Sequence, residues 1–151
     1  MKRWEQLEKS VARLTGGERV PGSGNGPRKG DVESPVFLCE CKETGQKKFS
    51  LQVTWLDEVW TDARRVNKLP LFVAEFGTGA RLYLMGSSFC GPEDSSSVDP
   101  GQSLDVLLDW SQKKTITLSP GDTLLEGRFI KTGQRYWKIV SEETVRALAM
   151  P

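Results

Sequence analysis

An aspartate, followed downstream by a glutamate and a lysine one residue apart, forms the set of side chains in this sequence best suited to chemistry: Asp31, Glu40 and Lys42. Two carboxylates supply the oxygen ligands that a hard divalent cation such as Mg²⁺ prefers. Such an ion polarises a phosphoryl oxygen and makes bound water nucleophilic. A lysine beside it orients that water or offsets charge growing on the phosphate. The plainer reading of Glu-x-Lys is an ion pair on a surface hairpin. Composition narrows the field, because the chain has three Cys and no His. Without histidine, Ser-His-Asp and Cys-His nucleophilic catalysis drop out. Cys39 and Cys41 form C-x-C with Cys90 far away, so a zinc site would lack its fourth ligand. An odd thiol count without a secretion signal is expected of reduced, structural cysteines.

These side chains need elements to place them. Residues 36–42 read as a strand, with Phe37, Cys39 and Cys41 on one side and Leu38, Glu40 and Lys42 on the other. Asp31 stands just upstream, after a loop able to fold back beside that strand. Trp4, Leu7, Val11 and Leu14 recur at helical spacing over residues 4–14, and Gly16-Gly17 stops the helix. Glu8 borders this apolar stripe while Glu5 points away. A carboxylate on the core side is costly unless paired or metal-bound, so Glu8 joins the candidate set; the alternative is a flanking residue whose tip reaches water. Residues 18–21 read as a short strand and 22–31 as a glycine-rich basic loop. There glycines such as Gly22 let the backbone approach a phosphate closely, and Arg28 and Lys29 supply charge; the alternative is an ordinary flexible surface loop. No Gly-Lys-Ser/Thr follows, so the loop is not a P-loop.

Further along, 43–48 is a basic turn, and Ser50 is placed to cap a helix over 51–66 with Val53, Leu56, Val59, Trp60, Ala63 and Val66 inward. Strands are expected at 69–74 and 81–85, a Ser/Gly/Pro-rich linker at 86–102, and a short helix at 103–110. Strands at 115–118, 124–131 and 136–140, a turn at Thr132-Gly133 and a terminal helix at 142–150 complete an α/β arrangement. With 151 residues, 37% of them hydrophobic, one compact domain is expected. The formal charge of +1 gives no global basic field, so any nucleic-acid surface must be a local patch. No apolar run is long enough to span a bilayer and the N-terminus lacks a signal-peptide core. The expected location is the cytoplasm, that of a host if the protein is phage-encoded, with no membrane partner.

The arrangement as a whole resembles the archaeal-type Holliday junction resolvases, a branch of the PD-(D/E)xK nuclease superfamily. Residues 8–14 are similar to that family's first helix, which begins with a catalytic Glu, a role that Glu8 or Glu5 would fill here. Gly22-Ser23-Gly24 resembles its mobile loop, in which a Ser assists catalysis. Arg28-Lys29-Gly30-Asp31-Val32 stands where the family has a basic Arg-Pro-Asp segment, with Gly30 in place of the proline. Phe37-Leu38-Cys39-Glu40-Cys41-Lys42 resembles the catalytic strand, and Phe49-Ser50-Leu51-Gln52, the next helix and residues 69–76 continue the match. The resemblance covers residues 4–85. It implies a restriction-endonuclease-like core with a mixed central sheet flanked by helices, here over 1–86. A linker at 87–102 and a C-terminal β-rich extension at 103–151, packed on the same domain, would follow.

The resemblance further implies a structure-selective endonuclease acting on four-way DNA junctions as a homodimer. Mg²⁺, or Mn²⁺ in its place, would be held by Asp31, Glu40, the backbone carbonyl of Cys41 and Glu8. Lys42 would serve the attacking water, and Gly22, Ser23, Arg28, Lys29, Lys47, Lys48, Gln52, Arg64 and Arg65 are the expected DNA contacts. Three alternatives stay open: another nuclease of restriction or repair type on the same core, a non-catalytic DNA-binding module, and a C-terminal part that serves protein interaction.

Overall fold

The computed structural model describes residues 2–20, 30–87 and 107–150. Helix α1 (Arg3–Thr15) leads to two very short strands, β1 (Glu18–Arg19) and β2 (Val32–Glu33). Then come β3 (Phe37–Glu43), β4 (Phe49–Gln52), helix α2 (Val53–Arg65), β5 (Leu69–Glu75) and β6 (Arg81–Gly86). The C-terminal part contributes β7 (Leu107–Asp109), β8 (Thr115–Leu118), a 3-10 helix (Pro120–Leu125), β9 (Phe129–Thr132), β10 (Arg135–Val140) and helix α3 (Glu142–Ala149).

The main sheet is mixed, in the order β1-β2-β3-β5-β6-β10-β9-β7, and β4 and β8 form a separate antiparallel ribbon. β3 and β5 run parallel, so the chain must cross over between them, and α2 lies in that crossover. Residues of β5 alternate between two apolar layers. Leu71 and Val73 pack with Leu7, Val11 and Leu14 of α1 and Val145 and Ala149 of α3. Phe72 and Ala74 pack with Leu56 and Val59 of α2, Leu118 of β8 and Trp137 and Ile139 of β10. A central strand covered on both faces reads as a continuous apolar run, which is how residues 69–74 read in the sequence. The outcome is a mixed α/β sheet with helices on both sides.

Several expectations change. Trp4 is 44% exposed, so the buried stripe of α1 starts at Leu7. Ser50 caps nothing: residues 49–52 are extended because Phe49 and Leu51 face inward and pair across to Leu118 and Ile116. α2 therefore begins at Val53 with Gln52 at its N-cap, and Val66, 46% exposed, lies past its end. Gly86 belongs to β6 rather than to the linker, and Ser87 donates its N–H to the Tyr136 carbonyl. Residues 88–102 of that linker, and 103–106 of the helix expected after it, lie outside the described residues. Leu107–Asp109 is a strand, parallel to β9. The strand expected over 124–131 starts only at Phe129, because Ser119 and Asp122 form a reciprocal capping box that winds Pro120–Leu125 into a 3-10 helix.

Candidate active site

The site grows from an interruption in strand pairing. β2 pairs with β3 only through Val32–Cys39 and Glu33–Leu38. From Glu40 onward the outer edge of β3 has no strand beside it among the described residues. Asp31 takes over that edge. Its N–H donates to the Cys39 carbonyl (2.9 Å), its carbonyl accepts from the Val20 N–H (2.9 Å), and its Oδ2 accepts from the Cys41 N–H (2.8 Å). A carboxylate thus replaces the missing strand as partner of a buried amide, which would otherwise be costly. Asp31 is only 7% exposed.

Gly30 explains how the chain enters this turn. Its φ is +86°, a value glycine adopts freely and proline, locked near −65°, cannot reach. A Cβ there would also lie 2.9 Å from Leu38 Cδ1. The local backbone path therefore suits glycine at position 30 and excludes proline.

β3 then sorts its side chains by parity. Phe37, Cys39 and Cys41 enter the layer under α1, and both thiols are buried. Burial, with Asp31 and Glu40 nearby, pushes both thiols far above the usual thiol range, which favours the neutral thiol at each. A strand residue's N–H and C=O point to the same edge, so the Cys41 carbonyl faces the side where its N–H meets Asp31.

On the opposite face, Glu40 lies 3.5 Å from Lys42 Nζ. Burial and the negative charge of Asp31 push the Glu40 carboxyl up to about 8; Lys42 pulls it the other way. Lys42 Nζ lies 4.9 Å from the centroid of the Trp55 ring. From α1, Glu8 is 8% exposed and accepts from Arg19 Nε at 3.0 Å. Its carboxyl is also raised, first by burial and then by Asp31, with Arg19 opposing.

Glu8, Asp31, Glu40 and Lys42 line one open cleft of about 520 Å³ with Trp4, Gly30, Cys41, Glu43, Glu58 and Asp62, while Arg19 and Trp55 meet Glu8 and Lys42 from outside that lining. The structure thus brings Glu8, Asp31, Glu40, Cys41 and Lys42 together, and leaves Glu5, half-buried, outside the lining. Lys47, Lys48, Gln52, Arg64 and Arg65 are exposed and do not line it; Arg65 pairs with Asp62 at 3.5 Å. Gly22, Ser23, Arg28 and Lys29 lie outside the described residues.

Trp55, Glu58, Asp62 and Arg19 were not expected from the sequence. Three of them carry a legible signal: positions 55, 58 and 62 follow the three-then-four spacing of one helix stripe. That stripe adjoins the apolar face of α2, which masks it.

The donors suit a hard cation. They are carboxylate oxygens whose charges disfavour one another, a conflict a divalent cation relieves. Among the described residues no three acidic or thiol side chains are already gathered as a ligand cage. A cation would thus be held by one or two carboxylates and complete its shell with water and phosphate, the usual mode for Mg²⁺.

No protein-family model matches the sequence, and no curated protein does. Among solved structures, the chain is similar to Hjc, a Holliday junction resolvase of Archaeoglobus fulgidus, an archaeal hyperthermophile. The two are 14% identical with a TM-score of 0.46, over 78% of this chain and 86% of that one.

Proposed function

We propose that this protein is a divalent-metal-dependent DNA endonuclease, selective for four-way junctions and working as a homodimer in the cytoplasm. The observation that carries the nuclease reading is the Asp31–Cys41 N–H bond. It fixes one carboxylate at the open edge of the strand that presents Glu40 and Lys42. Junction selectivity and dimerisation follow from the sequence resemblance: a two-fold dimer presents two equivalent sites to a substrate with two equivalent strands.

Asp31 and Glu40, with the Cys41 carbonyl, would hold Mg²⁺ or Mn²⁺, and Glu8, which lines the same cleft, would contribute to that site. Bound there, the ion would supply Lewis acidity toward the phosphodiester and an acidified water. Glu40, its carboxyl pushed up to about 8, would favour the protonated form near neutrality without a cation, and a cation held there would favour the carboxylate. Lys42 offers the one ammonium in the cleft lining among the described residues, and it would steady charge on the phosphate or orient water. Lys47, Lys48, Gln52, Arg64 and Arg65 are exposed and so accessible to the DNA backbone.

The test is incubation of pure protein, with Mg²⁺ and with EDTA, against labelled four-way junction, linear duplex and single-stranded DNA. Paired nicks at symmetry-related positions of the junction, resistant to excess duplex, are expected. Equal competition by duplex would reject junction selectivity and leave a general nuclease. No cleavage of any DNA with Mg²⁺ or Mn²⁺ would reject the enzyme reading.

A further inference from the structure

Among the described residues, the cleft lining holds six carboxylates, those of Glu8, Asp31, Glu40, Glu43, Glu58 and Asp62, against one ammonium, on Lys42. A flexible four-carbon stem in that field has several anionic partners to settle on, and Glu40 is already 3.5 Å away. Something other than charge must select its position. Trp55, from the first turn of α2, is the aromatic group in contact with it. The indole stacks on Phe72, with centroids 6.3 Å apart and planes 15° from parallel, and meets Phe49 edge-on at 6.2 Å. Phe72 is fully buried and stands beside Glu40 in the β3–β5 register. The ring is thus braced by the same core layer that carries the catalytic strand, while Lys42 rests on it at 4.9 Å. That distance is well within cation–π range.

We propose that Trp55 is the positioning residue for Lys42: the Phe72–Trp55–Lys42 stack keeps the ammonium over the ring and away from full pairing with the surrounding carboxylates. This rests on the nuclease reading for its kinetic consequence but not for the contact itself. Trp55 touches no reacting atom. Its effect passes through Lys42, so it should change the rate of the chemical step more than substrate affinity.

The experiment has two arms. In the first, Trp55→Leu, Trp55→Phe, Lys42→Ala and the Lys42→Ala/Trp55→Leu double variant are compared on junction DNA with Mg²⁺. Trp55→Leu should lower kcat roughly tenfold with KM within about twofold, and Trp55→Phe should recover most of the loss because it retains a ring face. In the Lys42→Ala background the Trp55→Leu change should cost nothing more, the signature of two residues acting as one unit. An unchanged tenfold loss in that background, or a loss confined to KM, would overturn the proposal.

The second arm needs no activity. In NMR spectra of the metal-free protein the Lys42 ε-methylene protons should be shielded by the indole ring, and that shielding should vanish in Trp55→Leu and persist in Trp55→Phe. An unshielded Lys42 in the wild type overturns the proposal. Wild-type shielding without any DNA cleavage upholds the contact and defeats the nuclease reading instead.

Discussion

The two edges of β3 differ in how their backbone groups are satisfied. The inner edge is paired with β5 along its whole length, from Phe37–Leu69 to Glu43–Glu75. The outer edge is paired with β2 only at Cys39 and Leu38, after which the Asp31 carboxylate accepts the Cys41 N–H. Backbone partners make the inner edge a purely structural seam. A side-chain partner makes the outer edge a place where charge is buried, crowded and available to a ligand. Among the described residues, the candidate site sits where strand pairing on this edge of β3 stops, and the side chain that takes over there, Asp31, is one of the candidate functional groups.

The comparison breaks hardest if the outer edge proves chemically idle. Asp31→Asn and Glu40→Gln each keep the shape but remove a charge, and each should lower Mg²⁺-dependent cleavage by at least about 10²-fold while junction binding persists. Glu8→Gln should cost more than Glu5→Gln, because only Glu8 lines the cleft. Single-turnover cleavage and gel-shift titration read both; wild-type rates in either Asp31→Asn or Glu40→Gln would remove the proposed centre.

At the inner edge the expected loss is of stability. Leu71→Ala, at a fully buried position of β5, should cost about 2–5 kcal/mol. Asp31→Ala, which strands the Cys41 amide, should cost about 1–3 kcal/mol. Denaturant melts give both values, and the reverse ranking would mean that the outer edge carries more of the fold than its single side-chain bond implies.

Gly30→Pro sharpens the contrast by attacking the turn into Asp31. With φ at +86° in the native backbone, proline should destabilise the protein by upward of about 1 kcal/mol and reduce cleavage with it. Unchanged melting would show that the outer edge tolerates another path.

The smallest effect is a pH slope. Glu40 has an ordinary value of 4.5 and is raised to about 8 in the fold. Between these values the native state binds more protons than the unfolded chain, so without divalent cation stability should fall as pH rises from about 4.5 to about 8 and level off above. Glu40→Gln should flatten that decline, and so should a saturating divalent cation. A stability that climbs through this window in the wild type, but not in Glu40→Gln, would contradict the raised carboxyl.

How much of this was legible in the sequence varies with the kind of contact involved. The alternation from Phe37 to Lys42 is local, and it correctly separated the buried cysteines from Glu40 and Lys42. The helical stripe of α1 was legible for the same reason, apart from Trp4 at its open end. Residues 49–52 were misread because their extended state depends on pairing with β8, which lies more than sixty residues away in the chain. Trp55 was passed over because a tryptophan near an apolar helix face looks like core until the strand carrying Lys42 is laid beneath it.

By itself the sequence determined which chemistry was available: carboxylates and lysines but no histidine, and an Asp31 upstream of a strand displaying Glu40 and Lys42 on one face. It also determined that β5 would be covered on both sides, since its apolar run admits no solvent-facing edge. Only the tertiary structure decided that β2 begins no earlier than Val32, that Asp31 just before it bonds to Cys41, that Glu8 of α1 shares a cleft with them, and that Trp55 of α2 lies against Lys42. Periodicity reports which face of an element is buried. It carries no information about which distant element covers that face or where the covering stops, and the candidate active site lies where the covering stops.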